Sequence, residues 1–340
     1  MSLFLKFLKP FSFFGDWVQW GRKFFDNLEV EMKHIDPHCH CRDGKEAYKT
    51  TIREVSEIAE KQGIVAIFDM PNTNPPILTE KDVKKRLELV KKRKPKVKYF
   101  LYVGLTSEEK QIKEAVEVVQ KYPQVVGLKL YKPNEEIYRI LAKLGYQGVL
   151  AVHCEKERYL RPFQWDPKRP WTHSWAWPVL AEVFSVNDQI RSAKMSNFQG
   201  NLHICHISCP ESVDLVWEAK KDLNITCGVT PHHILFSNDL LRETKNGLLY
   251  KVNPPLRDLK RVKELRKRLF EKKVDWIETD HAPHTWEEKL TPPYLSGVPS
   301  LHLYQGFLVW LNSQGMIWPE IKRLTYWNIK RAFGEKVRDV

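Results

Sequence analysis

Eight short apolar runs, separated by charged stretches of helical period, leave this 340-residue chain few folds to choose from. The runs occupy residues 34–40, 64–69, 97–103, 125–130, 148–153, 201–206, 224–229 and 274–279. Their length suits strands, and most are separated by helix-patterned segments such as 48–61, 80–91, 107–121 and 259–272. Eight strands alternating with helices is the count of a TIM (β/α)8 barrel. A doubly wound open sheet is the alternative, but no Gly-x-Gly-x-x-Gly loop follows the first run.

Composition narrows the function classes. A hydrophobic content of 42% with 29% charged residues reads as soluble and globular. The net charge of +13 would permit binding to nucleic acid or a membrane surface. The basic residues, however, are spread over helical stretches such as Lys84-Lys85-Arg86 and Arg266-Lys267-Arg268 and form no single stripe. The expectation is a small anionic substrate, with neither nucleic acid nor membrane as partner. Four of the six cysteines, Cys39, Cys41, Cys154 and Cys205, adjoin histidines of the candidate site, which is unlike a disulfide framework and points to the cytoplasm. Residues 1–33 form an aromatic arm broken by Lys6, Lys9, Pro10 and Asp16, without a membrane-span run or signal-peptide cleavage site. That arm is expected to pack on the barrel of residues 34–340 or on a partner, so a homo-oligomer is expected. The Trp-rich stretch 157–178 is expected to be a packed surface flap.

A barrel builds its active site from the carboxyl ends of its strands. His38 and His40 leave one face of the first strand, with Arg42 just beyond them. Lys129 ends the fourth run, His153 the fifth, His206 the sixth, and Asp280 follows the eighth. Singly, such residues are hydrogen-bonded histidines, a snorkelling lysine or a helix cap. Four histidines and an aspartate at separate strand ends are a ligand set for zinc-like ions. An ammonium would repel two ions, so Lys129 belongs in this set only as a carbamate formed by adding carbon dioxide to its amine.

These stretches resemble the dihydroorotases of the amidohydrolase superfamily, and more closely the dihydroorotase domain of the animal multifunctional pyrimidine-synthesis protein. The resemblance is carried by His38-Cys39-His40-Cys41-Arg42-Asp43, Asp69-Met70-Pro71-Asn72-Thr73-Asn74-Pro75-Pro76, Val152-His153-Cys154-Glu155, His203-Ile204-Cys205-His206, Thr230-Pro231-His232-His233 and Asp280-His281-Ala282-Pro283-His284. It covers roughly residues 34–334 in the family's order. It implies two Zn2+ ions per subunit. One would be held by His38, His40 and Asp280, the other by His153 and His206, with N6-carboxylated Lys129 bridging them. Arg42, Asn72 and His284 would hold the substrate carboxylate, with Asn253 near the substrate ring. The implied reaction is the reversible cyclisation of N-carbamoyl-L-aspartate to (S)-dihydroorotate in UMP biosynthesis, through a metal-bridging hydroxide with Asp280 as general acid and base.

Arg42 argues against hydantoinase or allantoinase activity, because it suits a carboxylate that plain hydantoins lack. The other alternative is a non-catalytic homologue scaffolding aspartate transcarbamoylase, whose mark would be lost ligands. None is lost. Four features depart from the family pattern. The small β-domain usual in the family is expected to be reduced or absent. The segment Lys132-Pro133-Asn134-Glu135-Glu136 has no threonine for a lid, and Ser300 follows Pro299 where glycine is commoner. Gly228 sits where the animal domain has a glutamate ligand, so no third metal is expected.

Overall fold

Each apolar run becomes a strand because neither of its faces is left to water. The computed structural model describes residues 33–132 and 134–340, so the expected N-terminal arm lies outside the described residues apart from Lys33. The strands are β1 (His34–Cys39), β2 (Ile64–Asp69), β3 (Lys98–Gly104), β4 (Val125–Leu130), β5 (Val149–Val152), β6 (Asn201–Ile204), β7 (Ile225–Val229) and β8 (Trp276–Ile277). Every residue of β1, β4, β5, β6 and β8 is buried, as parallel strands covered on both faces require. All neighbours are parallel and follow chain order from β1 to β8.

The ring returns to its start. Cys39 pairs with His281, the His40 amide donates to His281 O at 2.8 Å, and the Asp280 amide donates to His38 O at 2.9 Å. This is the (β/α)8 barrel, and the open-sheet alternative is excluded. Among the described residues, no strand lies outside this sheet.

The principal helices are α1 (Ile52–Lys61), α2 (Glu80–Arg93), α3 (Glu109–Lys121), α4 (Glu135–Lys143), α5 (Val179–Met195), α6 (Pro210–Ala219), α7 (Leu259–Phe270) and α8 (Tyr304–Ser313). Capping boxes start α1 (Thr51 with Glu54) and α2 (Thr79 with Asp82), each cap contributing about 0.5–2 kcal/mol. The basic helix faces are mostly solvated, as expected, but not throughout. In Lys84-Lys85-Arg86 the lysines are exposed but Arg86 is buried, because its guanidinium pairs with the buried carboxylate of Asp69. Among the described residues, no helix is long and apolar enough to cross a membrane.

One apolar layer fills the space between strands and helices; a second fills the barrel itself. The C-terminal helical segment closes the barrel's lower end. The Phe333 ring meets Phe68 and Tyr102 edge-on at 4.9 and 6.3 Å and lies 6.0 Å from Trp276. With that end sealed by aromatics, the polar groups collect at the strand carboxyl ends.

His34 opens β1 fully buried, its Nδ1 2.8 Å from Thr325 Oγ1 and its ring edge-on to Tyr304. Burial, helped by the charge of Lys322, pulls its pKa from 6.5 down to about 3. Between those values the unfolded chain binds a proton that the folded chain refuses, so stability falls as the pH drops through this window. The loss attributable to His34 is on the order of 4 kcal/mol. His34→Gln is expected to lower stability at neutral pH but to flatten the decline below pH 6.5, as read by urea unfolding at stepped pH.

Candidate active site

The end of β1 delivers two imidazoles to one point. His38 Nε2 and His40 Nε2 lie 3.3 and 3.0 Å from Oδ1 of Asp280, which follows β8. Across the barrel mouth, His153 after β5 and His206 after β6 face each other, Nδ1 to Nε2, at 3.3 Å. The His38 and His206 rings, 5.0 Å apart, join the two groups. Lys129 on β4 is buried beneath, its Nζ donating to Cys205 Sγ at 3.1 Å.

A cavity of about 240 Å³ opens above this floor. Nine of the ten predicted site residues line it: His38, His40, Arg42, Asn72, Lys129, His153, His206, Asn253 and Asp280. His284 stands behind Arg42 instead, accepting at Nε2 from Arg42 Nη2 at 3.0 Å. Burial, with the charges of Arg42 and Lys49 added, pulls the pKa of His284 down to about 3, so it stays a neutral acceptor that orients the guanidinium.

Asn72, expected at the substrate carboxylate, holds His40 Nδ1 through its Oδ1 at 2.8 Å. Several supporting groups were not singled out from the sequence. Glu155 Oε2 holds His153 Nε2 at 2.9 Å. Such partners fix which ring nitrogen is free to ligate. Ser296 donates to Asn253 Oδ1 at 3.0 Å and accepts from Lys251 Nζ at 2.9 Å. Glu278, one residue past β8, sits under the floor with Oε2 3.1 Å from His203 Nε2 and 3.6 Å from His38 Nδ1. Burial opposes its charge, but His203 and His38 outweigh burial and hold its carboxyl well below the usual range. Burial likewise pushes the Cys205 thiol up, yet Lys129, with hydrogen bonds from His203 and His38, brings it down to about 5. A side chain at Gly228 would place its Cβ 2.5 Å from Glu278 Oε1. The Glu278 side chain fills the space that a side chain at position 228 would need.

The residues fit a metal. Nδ1 of His38 and Nδ1 of His206 are buried with no hydrogen-bond partner among the described residues. Burial holds His206 well below 6.5, so its ring is neutral with a lone pair to give. The donor atoms of His38, His40 and Asp280 lie within 4.8 Å of one another, as do those of His38, Cys205 and His206 and of His203, Cys205 and Glu278. Imidazole, thiolate and carboxylate are the ligands that zinc takes.

The wall beside this mouth is fixed. Arg257, buried, donates to Trp177 O, to Ser208 Oγ at 2.8 Å and to Glu182 Oε2 at 3.3 Å, tying the Trp-rich stretch to the segment after β6. That stretch buries Thr172, His173 and Ala176 and exposes Phe163 and Trp175.

No family model matches the sequence. A dihydroorotase of Methanosphaera stadtmanae is 30% identical over 312 residues, covering 88% of this chain and 70% of that protein. The chain belongs to the dihydroorotase family. A second member, from Pyrococcus horikoshii, is 32% identical over 298 residues, covering 87% of this chain and 62% of its own length. The chain thus spans 62–70% of the length of these curated relatives. Among solved structures, the L-hydantoinase of Arthrobacter aurescens superposes with a TM-score of 0.78 at 22% identity, over 88% of this chain and 70% of that one, a likeness of fold.

A ligand that binds only the folded state stabilises it by about 2.7 kcal/mol at a hundredfold excess over Kd. Zinc added to chelator-treated protein is therefore expected to raise Tm by several degrees. Asp280→Asn is expected to cut that shift by half or more, as read by scanning fluorimetry with metal titration.

Proposed function

We propose that this site interconverts (S)-dihydroorotate and N-carbamoyl-L-aspartate, and that two zinc ions would be held there with N6-carboxylated Lys129 among their ligands. The carrying observation is the position of Arg42, a buried guanidinium lining the same small cavity as the histidine–aspartate cluster. A bidentate fork there suits a ring carboxylate lying next to the reacting amide.

His38, His40 and Asp280 would hold one ion, and His153 and His206 the other. When bound, the ions supply the Lewis acidity that polarises an amide carbonyl and acidifies water. The chain's own groups do the rest. Arg42 grips the substrate carboxylate, with neutral His284 setting its tilt, and Asn72 and Asn253 hold the ring's polar edges. Asp280 takes the proton of the attacking water and returns it to the ring nitrogen as the C–N bond breaks, giving the open carbamoyl amino acid. In the synthetic direction the Asp280 carboxylate takes the proton of the attacking nitrogen and passes it to the departing hydroxyl, which leaves as water as the C–O bond breaks.

The test is turnover of dihydroorotate and N-carbamoyl-L-aspartate by the purified, metal-analysed protein, with hydantoin and allantoin in parallel. Turnover confined to the first pair supports the proposal, and turnover confined to the second pair refutes it. A charge-assisted pair contributes about 1.5–3 kcal/mol, so Arg42→Met is expected to raise KM for dihydroorotate by roughly 10- to 100-fold. Intact mass should show Lys129 carrying an added carbon dioxide that is absent from Lys129→Ala. A homo-oligomer and an aspartate transcarbamoylase partner belong to the same proposal; light scattering of the protein alone and mixed with that enzyme tests both.

A further inference from the structure

Two consecutive residues with side chains, Arg42 and Asp43, adopt left-handed backbone with φ of 46° and 67°. That region is unfavourable for residues carrying a Cβ and persists only where surroundings impose it. Here one helix imposes it. Arg86 and Arg93 lie seven residues apart on α2, two turns along one face. Arg86 Nη1 donates to the Arg42 carbonyl at 2.8 Å. Arg93 forks onto the Asp43 carboxylate, Nη2 to Oδ1 at 2.7 Å and Nε to Oδ2 at 2.9 Å. The same carboxylate accepts the Ile52 amide at 2.9 Å, so the turn is also anchored to the start of α1.

The Arg42 side chain leaves this turn toward strand eight, where Nε meets Pro283 O at 3.3 Å and Nη2 meets His284. Asp43, Arg86 and Arg93 do not line the cavity, and Asp43 and Arg93 spend their charge on each other. A lone cap on α1 would need only the Asp43 carboxylate. The second grip on the Arg42 carbonyl has no such use, and it sets where the guanidinium starts.

We propose that Arg93 and Asp43, with Arg86 on the same helix face, are positioning residues that fix the reach of Arg42 and so set affinity for the substrate carboxylate. The inference rests on the functional reading above. It places part of the substrate specificity on the outer face of the barrel, in an ion pair that touches no substrate.

The test uses the full-length, metal-loaded protein with Arg93→Met, Arg93→Lys and Asp43→Asn. Arg93 has a third of its side chain exposed, so its variants keep the experiment decidable if Asp43→Asn fails to fold. Steady-state kinetics with dihydroorotate are read beside metal content and hydrogen exchange across residues 41–52. The expected result for Arg93→Met is a KM raised about tenfold, kcat within about twofold, unchanged metal content, and faster exchange at Ile52 with the strands unaffected. Arg93→Lys should recover most of the KM. A KM within about twofold of the parent despite faster exchange overturns the inference, as does loss of kcat together with metal at constant KM. A parent active on dihydroorotate with unmoved variants overturns this inference alone. A parent that turns over neither dihydroorotate nor N-carbamoyl-L-aspartate overturns the functional reading and this inference with it.

Discussion

The last strand has only two residues, so the barrel cannot close on a ladder of backbone bonds alone. A buried carboxylate makes up the difference. Asp36 of β1 accepts from the Thr279 amide at 3.0 Å, from the Thr279 hydroxyl at 2.6 Å and from the His38 amide at 3.3 Å. Burial pushes its pKa up to about 7, against the pull of these hydrogen bonds. His38 lies two residues beyond this knot on one side, and Asp280 lies one residue beyond it on the other. The separation between those two side chains, on which any shared ion depends, is thereby held by two hydrogen bonds from Thr279 under the floor, alongside the backbone bond from Asp280 to His38.

From that knot upward the backbone leaves ordinary strand geometry at three of the residues that line the cavity. Arg42, His206 and Asp280 all have positive φ, at 46°, 38° and 46°. Such conformations cost on the order of 1–3 kcal/mol each. The structure around each one over-determines it: the α2 arginines at Arg42, the amide bond to Glu278 at His206, and the β8–β1 bridge at Asp280. The other described positive-φ residues with side chains include Lys94, the C-cap of α2, where left-handed backbone ends a helix.

The strand positions were legible in the sequence because parallel barrel strands are apolar on both faces and bounded by charge. β2 and β4 match their runs residue for residue; the others differ by one or two residues per end. β6 and β8 stop earlier than their apolar runs, and the chain takes left-handed backbone just beyond them at His206 and Asp280. The candidate ligand set was legible because polar residues at strand ends stand out against apolar runs. Glu278 was hidden because it reads as the polar tail of the last run, and its role depends on space left by Gly228 on another strand. Glu155 and Ser296 were hidden because a hydrogen bond to a neighbour leaves no periodic trace. Arg86 was misplaced because a basic triplet on a helix reads as solvated, whereas its partner Asp69 lies 17 residues away on a buried strand.

His40 and Asp280 are 240 residues apart in the chain, yet their side chains touch. No short contiguous fragment holds both. A ribosome that has released the chain as far as α5 has made His38, His40, Lys129 and His153, but neither His206 nor the carboxylate that completes the first group. The ligand set is whole only when β8 docks beside β1. Assembly of the candidate centre and completion of the tertiary structure are therefore one event. A chain made only as far as α5 holds an incomplete fraction of the set and is kept from premature chemistry by topology alone.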